Sequence, residues 1–169
     1  MHSMDRILVI GSPGSGKTTL ALKLAERTGL PLVHLDRLFW ENNWSHVSSQ
    51  IFDRRLLAAL HNPHWIIDGN FARTLPLRLS FCDTVIYLDY SRFQCLWGVL
   101  TRVVTNYGKV RPDMGGNCPE RFDLEFLKSV WRFPRQHRRT YQKLLSEAAG
   151  VTVHIFRRRR QAARWLKEL

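Results

Sequence analysis

The segment GSPGSGKT, residues 11–18, carries the residue types best suited to chemistry near the start of the chain. It satisfies the spacing G-x-x-x-x-G-K-[ST], in which glycines let backbone N–H groups approach an anion without side-chain clash. Lys17 adds a positive charge at the end of this turn, and Thr18 adds a hydroxyl that suits Mg²⁺. The pattern predicts a phosphate cradle for a nucleoside triphosphate. The alternative is a tight turn without a ligand.

The elements that flank residues 11–18 support the first interpretation. An apolar run over 6–10 predicts a strand before the cradle, and a helical pattern over 17–28 follows it. The N-terminus of such a helix directs its partial positive charge at the same anion. Lys17 is expected to bridge the β- and γ-phosphates. The residues predicted to bind the nucleotide are Gly11, Pro13, Gly14, Ser15, Gly16, Lys17, Thr18 and Thr19.

Strand-like and helical segments alternate along the rest of the chain. Short apolar runs predict strands over 6–10, 32–36, 65–68, 84–89 and 151–156. Helical patterns fall over 17–28, about 49–61, 92–106, 124–147 with an interruption at Pro134, and 160–168. This order predicts an α/β fold with a parallel sheet covered by helices.

The helix predicted over 92–106 has the clearest local signals. Ser91 and Gln94 have the spacing of a capping box, and Gly108 can end the helix in a left-handed conformation. Its apolar stripe, typical of a helix face turned to a core, comprises Phe93, Leu96, Trp97, Leu100, Val103 and Val104. The Gly- and Pro-rich segment that follows predicts an irregular, mobile loop.

Composition limits the class of protein. The chain has 169 residues, of which 44% are hydrophobic and 24% charged, as expected for one globular domain. No apolar run approaches the about 18 residues that span a bilayer, and the first residues lack a signal peptide's apolar stretch. We therefore expect a cytoplasmic protein without a membrane partner. The three cysteines have neither disulfide nor zinc spacing.

The positive charge is concentrated in the second half of the chain. The net charge is +12, and residues 85–169 hold 17 basic and 7 acidic side chains. The chain has 20 Arg against 6 Lys. Arginine binds phosphate through a planar fork, so this excess suggests phosphorylated ligands or nucleic acid. A solvated basic surface is the plain alternative.

Asp68 is the second candidate ligand for Mg²⁺, after Thr18. It ends the apolar run WIID, and the end of a parallel strand lies near the cradle, where a carboxylate can hold Mg²⁺ or its water shell. The alternative for Asp68 is a cap or turn former. The segment DGNFART resembles the D-G-F-P-R-T segment of adenylate-kinase-like P-loop kinases, with one residue inserted around 70–72. The resemblance implies that Arg73 grips the phosphate of an acceptor.

Longer segments resemble one narrower group, the bacterial DNA topology modulation proteins of the FlaR type, which are themselves adenylate-kinase-like. The segments are HLDRLFWENNW, WIIDGNFARTLPLRLSFCDTVIYLDYSR and RPDMGGNCPERFDLEFLKSVWRFP. This label implies an influence on DNA supercoiling, whereas the residues describe a small-molecule kinase better.

In related kinases, arginines in and beside a lid close over the transferring phosphoryl group. The resemblance assigns Arg102 and Arg135 to catalysis and places the further lid arginines at Arg111, Arg121, Arg138 and Arg139. Each of these arginines has the alternative of a plain surface residue.

Other residues near the predicted site leave two interpretations open. The resemblance to kinases of non-nucleotide acceptors implies that Asp36 orients an acceptor or acts as its base, and the alternative is a helix cap. The aromatics Phe39, Trp40 and Trp44 belong to an acceptor pocket or to the core. The basic run over 156–160 is a solvated turn or stacks on a nucleotide base. His34 is assigned a structural or surface role.

Together these observations and resemblances predict a P-loop NTPase fold of adenylate-kinase-like type, with five parallel strands, helices on both faces and a lid. We expect a single domain over 1–169 with a lid at approximately 107–123. The predicted function is transfer of the γ-phosphoryl of ATP, with Mg²⁺, to a nucleotide or small-molecule acceptor. The alternative is a nucleic-acid-binding protein that uses its basic C-terminal half.

Overall fold

A computed structural model describes residues 4–169, so residues 1–3 of the predicted domain and of the N-terminal segment lie outside the described residues. The five strands are β1 (Arg6–Gly11), β2 (Leu32–His34), β3 (Trp65–Asp68), β4 (Thr84–Leu88) and β5 (Thr152–Phe156). All pair in parallel, in the order β2-β3-β1-β4-β5.

Seven α-helices connect and cover these strands in the described part of the chain. They are α1 (Lys17–Thr28), α2 (Leu35–Phe39), α3 (Ser49–Leu60), α4 (Leu75–Leu79), α5 (Arg92–Asn106), α6 (Leu124–Glu147) and α7 (Arg159–Glu168). Two 3₁₀ turns lie at Asn42–Trp44 and Ala72–Thr74. Within residues 4–169, no helix has both the length and the apolar character that crossing a membrane requires.

The sheet is buried on both faces because its strands carry apolar side chains on both sides. Leu8 and Ile10 of β1 pack into a core with α3, α4 and the second half of α6. Ile7 and Val9 point to the other face, where α1, α5 and α7 form a second core. The predicted α/β architecture is confirmed.

Strand order determines where a ligand can bind. β1 lies between β3 and β4, so the chain leaves β1 at the point where connections diverge to the two sides of the sheet. Ligands of open parallel sheets bind outside the carboxyl ends of the strands at such a point. The phosphate cradle, which directly follows β1, lies there.

Two differences from the predicted elements affect the site and the core. The second strand ends at His34, because α2 begins at Leu35, so Asp36 lies in the first turn of a helix instead of at a strand end. α6 continues through Pro134 without the predicted interruption. Its buried residues lie on both sides of the proline, Val130 before it and Tyr141 after it, and this packing holds the two halves in one helix.

The apolar stripe predicted for α5 is only partly buried. The buried residues are Cys95, Val99 and Val103. Phe93 and Trp97 are 69% and 71% exposed. The helix presents its small-residue face to the phosphate cradle, and an approach that close turns the larger aromatic side chains outward.

The contact between α5 and the cradle is close enough to exclude a side chain at two positions. A Cβ placed on Gly98 would lie 2.1 Å from the backbone oxygen of Gly14, and one placed on Gly14 would lie 2.1 Å from the backbone oxygen of Cys95. Both neighbours are backbone atoms, so a side-chain rotation cannot relieve either clash. Glycine at both positions lets α5 support the cradle directly.

This contact predicts that Gly98→Ala destabilises the protein, although alanine ordinarily favours a helix by about 1 kcal/mol over glycine. Overpacking against the cradle backbone should cost about 1–3 kcal/mol and weaken nucleotide binding. Urea unfolding and ATP titration of the variant measure both effects. Thr101→Ala, on the exposed face of the same helix, is the control and should retain both properties. A Gly98→Ala variant as stable as the wild type would contradict the packing.

Candidate active site

The phosphate cradle is built by backbone. Gly11, Gly14 and Gly16 have φ values of 152°, 78° and 89°, which residues with side chains rarely adopt. Gly16 occupies the N-cap of α1 without a side-chain hydrogen bond, so the first amides of the helix lack a side-chain cap. The Ser15 hydroxyl oxygen is buried and, within residues 4–169, has no hydrogen-bond partner. Uncapped amides and an unpartnered hydroxyl at one turn suit an oxyanion.

Lys17 lies over this turn. Its ammonium nitrogen donates to the Ser12 carbonyl oxygen at 3.1 Å. Burial lowers the pKa of Lys17, while the nearby carboxylates of Asp68 and Asp36 oppose that shift. Lys17 therefore lies at the cradle and within electrostatic reach of two acids, Asp68 at the end of β3 and Asp36 in the first turn of α2.

Asp68 is buried at the end of β3 and is held by a histidine. His34 Nδ1 lies 2.8 Å from Asp68 Oδ1, and the two residues are register partners at the ends of β2 and β3. Burial acts to lower the pKa of His34, but the hydrogen bond and charge of Asp68 outweigh it and raise that pKa. Sequence reasoning missed this pair, although both residues end neighbouring strands.

A buried arginine holds the turn after β3. Arg78 of α4 is fully buried and donates to the carbonyl oxygens of Gly69, Asn70 and Phe71. Burial lowers the pKa of Arg78 to about 10. Asn70 Oδ1 in turn accepts from the Gly11 amide at 3.1 Å, which ties this turn to the cradle. Sequence analysis did not single out Arg78, because its partners are backbone atoms brought close only by folding.

Asp36 faces the same region from α2. Burial raises the pKa of Asp36, and Lys17 and Arg111 oppose the shift. The N-cap position of α2 belongs to His34, so the helix-cap interpretation of Asp36 is wrong. Its carboxyl group instead lies among charged side chains of the cleft.

The lid loop, residues 107–123, is irregular, and its arginines are paired with acids. Glu120, only 5% exposed, lies 3.0 Å from Arg102 Nε and 3.3 Å from Arg111 Nε through Oε2, and it accepts from Arg102 Nη2 at 3.3 Å. Arg111 also lies 3.4 Å from Asp113. Burial and the neighbouring charge of Arg111 lower the pKa of Arg102. Sequence reasoning named the arginines and missed the two acids.

These side chains form one group, the cleft cluster. Electrostatic interactions connect Lys17 to Asp36, Asp68 and Arg102, and connect Asp36 to Arg111 and Asp113. The cleft cluster consists of Lys17, Asp36, Asp68, Arg102, Arg111, Asp113 and Glu120. The sequence predicted five of its seven members.

The lid loop is docked on the segment after α2. Asn43 donates its amide to the Asn117 carbonyl at 2.9 Å, and Asn117 donates its amide to Asn42 Oδ1 at 2.8 Å. The Trp44 indole donates to the Pro119 carbonyl at 3.2 Å, and the Cys118 thiol to the Glu41 carbonyl at 2.8 Å. Hydrogen bonds that each include a backbone atom thus join the lid loop to the segment after α2.

The other predicted arginines lie elsewhere. Arg73 is exposed and, among the described residues, its polar contacts are to Asp53 of α3, at 2.6 and 3.0 Å. Arg138 Nε lies 2.7 Å from Asp89 Oδ1. Arg121 lies 3.7 Å from Asp123, with its guanidinium over the Trp44 ring. The exposed surface of α6 carries Arg135 and Arg139.

The aromatic residues divide between core and cleft. Phe39 packs against the first core and contacts the rings of Phe52 and Phe71. Trp40 and Trp44 lie edge to face at 5.5 Å, where the lid loop docks. Phe39 therefore belongs with the core, while the two tryptophans support the lid loop.

A cavity lies beside the cradle. It has a volume of about 410 Å³ and is lined by Gln94, Trp97, Arg158, Arg159 and Arg160. Arg159 Nη2 donates to the Gly14 carbonyl oxygen at 3.2 Å, which connects the basic run after β5 to the cradle. An exposed indole and arginines offer planar faces for a base beside the phosphate site.

Comparisons with known proteins agree with this fold. The family model "ATPase family associated with various cellular activities (AAA)" matches residues 7–67. Adenylate kinases of Mycobacterium bovis (strain BCG / Pasteur 1173P2) and Mycobacterium tuberculosis (strain ATCC 25618 / H37Rv) are each 49% identical over 37 residues. That match covers 22% of this chain and 20% of each relative, so the chain spans one fifth of their length.

Solved structures match over nearly the whole chain. Shikimate kinase from Bacteroides thetaiotaomicron has a TM-score of 0.59 at 15% identity and covers 98% of this chain and 96% of its own. A suspected kinase from Chloroflexus aurantiacus j-10-fl has a TM-score of 0.53 at 16% identity and covers 98% of both chains. The chain has the fold of the P-loop kinases, which confirms the predicted fold class.

The docked lid predicts the effect of Gly115→Ala. A Cβ at Gly115 would lie 2.1 Å from the Trp40 carbonyl oxygen and 2.9 Å from that of Arg37. Overpacking of about 1–3 kcal/mol should undock the lid loop and expose the buried Cys118 thiol. Mass spectrometry should show Cys118 labelled about tenfold faster or more. Lys109→Ala, at an exposed position of the same loop, is the control. Unchanged labelling in the glycine variant would contradict the docking.

Proposed function

We propose that the protein is a Mg²⁺- and ATP-dependent phosphotransferase that transfers the γ-phosphoryl group of ATP to a nucleotide or small-molecule acceptor. The single observation that carries this proposal is the uncapped glycine cradle with Lys17 and Asp68 beside it. An anion site built from amides, with a cation and a carboxylate at its edge, suits a metal-bound polyphosphate.

The residues of the cradle fit the phosphates of ATP and a Mg²⁺ ion. The amides of residues 11–18, the Ser15 hydroxyl and Lys17 would hold the phosphates, and Thr18 and Asp68 would hold Mg²⁺ or its waters. Among residues 4–169, no group of three or more His, Cys, Asp or Glu is arranged to hold a metal ion. Mg²⁺ that binds one or two protein oxygens, substrate phosphates and water does not require such a group.

Phosphoryl transfer needs positioning and charge neutralisation more than a strong base. When bound, Mg²⁺ would neutralise part of the negative charge on the phosphate oxygens. Lys17 would add positive charge at the transferred group, and the His34 bond would hold Asp68 in one orientation. Arg102 and Arg111, while still paired with Glu120, would add positive potential toward the charge that develops on the equatorial oxygens. Roles for Arg73 and for the arginines at 121, 135, 138 and 139 remain predictions from the resemblance.

Nucleic-acid binding is the second candidate, because part of the basic charge is exposed beside aromatic rings. Arg92 lies over the Trp131 ring at 4.8 Å, and Phe93 contacts the same ring. Exposed aromatic and arginine side chains can stack on bases. The arginines that converge on the cleft, Arg102 and Arg111, favour the kinase, and we retain DNA binding as the secondary proposal.

The phosphotransferase proposal predicts that Lys17→Ala abolishes ATP turnover. Removing the cation from the transferred phosphoryl group should lower the rate of ADP release by roughly 100-fold or more. A panel of nucleoside monophosphates, nucleosides and small hydroxyl metabolites supplies the acceptors. Lys23→Ala, on the exposed face of α1, is the matched control and should turn over normally. Equal turnover in the two variants would refute the role of Lys17.

The cavity beside the cradle predicts a base-specific effect of Trp97→Ala. Loss of a stacking partner worth about 1–3 kcal/mol should weaken ATP binding by roughly 5- to 150-fold. Binding of inorganic tripolyphosphate, which lacks a base, should stay unchanged. Phe93→Ala is the control, because Phe93 is equally exposed one turn earlier but does not line the cavity. Parallel losses for both ligands would exclude a base site at Trp97.

A further inference from the structure

We infer that the acceptor is a hydroxyl compound without a phosphate or another strong negative charge, such as a polyol, a sugar or an amino alcohol. The inference rests on the phosphotransferase proposed above and narrows its acceptor. The reason is that the cleft contains carboxylates that already pair with its arginines.

The pairing of Arg102 and Arg111 is the first observation. Both guanidinium groups contact Glu120, and the side chains of Arg111 and Glu120 are 18% and 5% exposed. If an acceptor phosphate bound either arginine, buried Glu120 would keep only a weaker partner or none. Stripping a buried carboxylate of its partner is strongly unfavourable, so these arginines are poorly available to a second phosphate.

The charge of the cleft cluster is the second observation. It contains three cations, Lys17, Arg102 and Arg111, and four carboxylates, those of Asp36, Asp68, Asp113 and Glu120. His34 and Arg37 also act on this field, His34 through its bond to Asp68 and Arg37 from an exposed position nearby. Since the donor triphosphate itself uses Lys17, little positive charge remains for a dianionic acceptor.

Two further arginines near the cleft, Arg73 and Arg55, are also engaged with protein oxygens. Arg73, which the resemblance assigns to an acceptor's phosphate, makes its two-pronged contact with Asp53. Arg55 donates to the Leu38 carbonyl oxygen at 2.9 Å and lies 3.8 Å from Glu41. Phosphate recognition relies on such planar forks, and both are directed at protein oxygens here.

The carboxylates suit a hydroxyl acceptor. Asp36 lies near Lys17, so a hydroxyl that donates to Asp36 would place its oxygen near the transferred phosphoryl group. In the transfer, the acceptor oxygen bonds to the γ-phosphorus, and the bond from that phosphorus to the β–γ bridging oxygen breaks. The bridging oxygen leaves on ADP, and the hydroxyl proton passes to Asp36 and then to water. The products are a phosphate monoester, ADP and a proton.

Matched acceptor pairs test the inference. ADP release by the full chain with Mg²⁺ and ATP is measured with glucose and glucose 6-phosphate, ethanolamine and phosphoethanolamine, myo-inositol and its monophosphate, and adenosine and AMP. In at least one pair, the unphosphorylated member should raise the rate tenfold or more above water, and its phosphorylated partner should not. Turnover with the phosphorylated members alone would overturn the inference and leave the phosphotransferase standing. Lys17-dependent ATP binding without stimulation by any compound would overturn both.

Glu120→Gln tests the cause. Removing the shared carboxylate frees both arginines, so the ratio of kcat/KM for phosphorylated over unphosphorylated acceptors should rise tenfold or more. Asp113→Asn should shift the ratio in the same direction and serves as the second variant if Glu120→Gln does not fold. Glu125→Gln is the control, because Glu125 is exposed on α6 and pairs with Lys128. An unchanged ratio in a folded Glu120→Gln or Asp113→Asn variant would overturn the proposed basis of specificity.

Discussion

The structure depends on leaving the first amides of α1 without a side-chain cap. Gly16 holds the N-cap position, where a polar side chain usually accepts from such amides, and so the helix end is kept for an external anion. The amides are useful only if the turn before them is held still. Gly98 of α5 and Asn70 after β3 provide that support by contacting the backbone of Gly14 and Gly11.

Around this anion site, several strong charges have a partner of opposite sign or a set of backbone oxygens. Asp68 has His34, Arg102 and Arg111 share Glu120, and Arg78 donates to three carbonyl oxygens. Buried charges persist when they are paired in this way. The pairing fixes the orientation of the side chains, and under the inference above it also selects against a second phosphate.

The lid loop packs through close contacts between backbone segments, and not through large side chains. Gly115 and Gly116 lie against the backbone of Trp40 and Asn42, where no Cβ fits. Asn43 and Trp44 adopt positive φ values at this contact. The lid loop and the segment after α2 are therefore joined by close main-chain contacts, which makes their relative position part of the geometry of the site.

Local signals in the sequence determined the five strands, the five longer helices and the phosphate cradle, but not the short helices α2 and α4. Glycine torsions, apolar periodicity and the spacing to Lys17 act over a few residues, so they can be read along the chain. The bounds of α1 and α5 were predicted correctly for the same reason.

Only tertiary structure decided the partners of the charged side chains. His34 and Asp68 are 34 residues apart, and Arg102 and Glu120 are 18 apart, so sequence reasoning found one member of each pair and missed the other. Helix faces and burial depend in the same way on which backbone a helix contacts. α5 turned Trp97 outward because Gly98 had to meet the cradle, a contact between segments that the sequence keeps far apart.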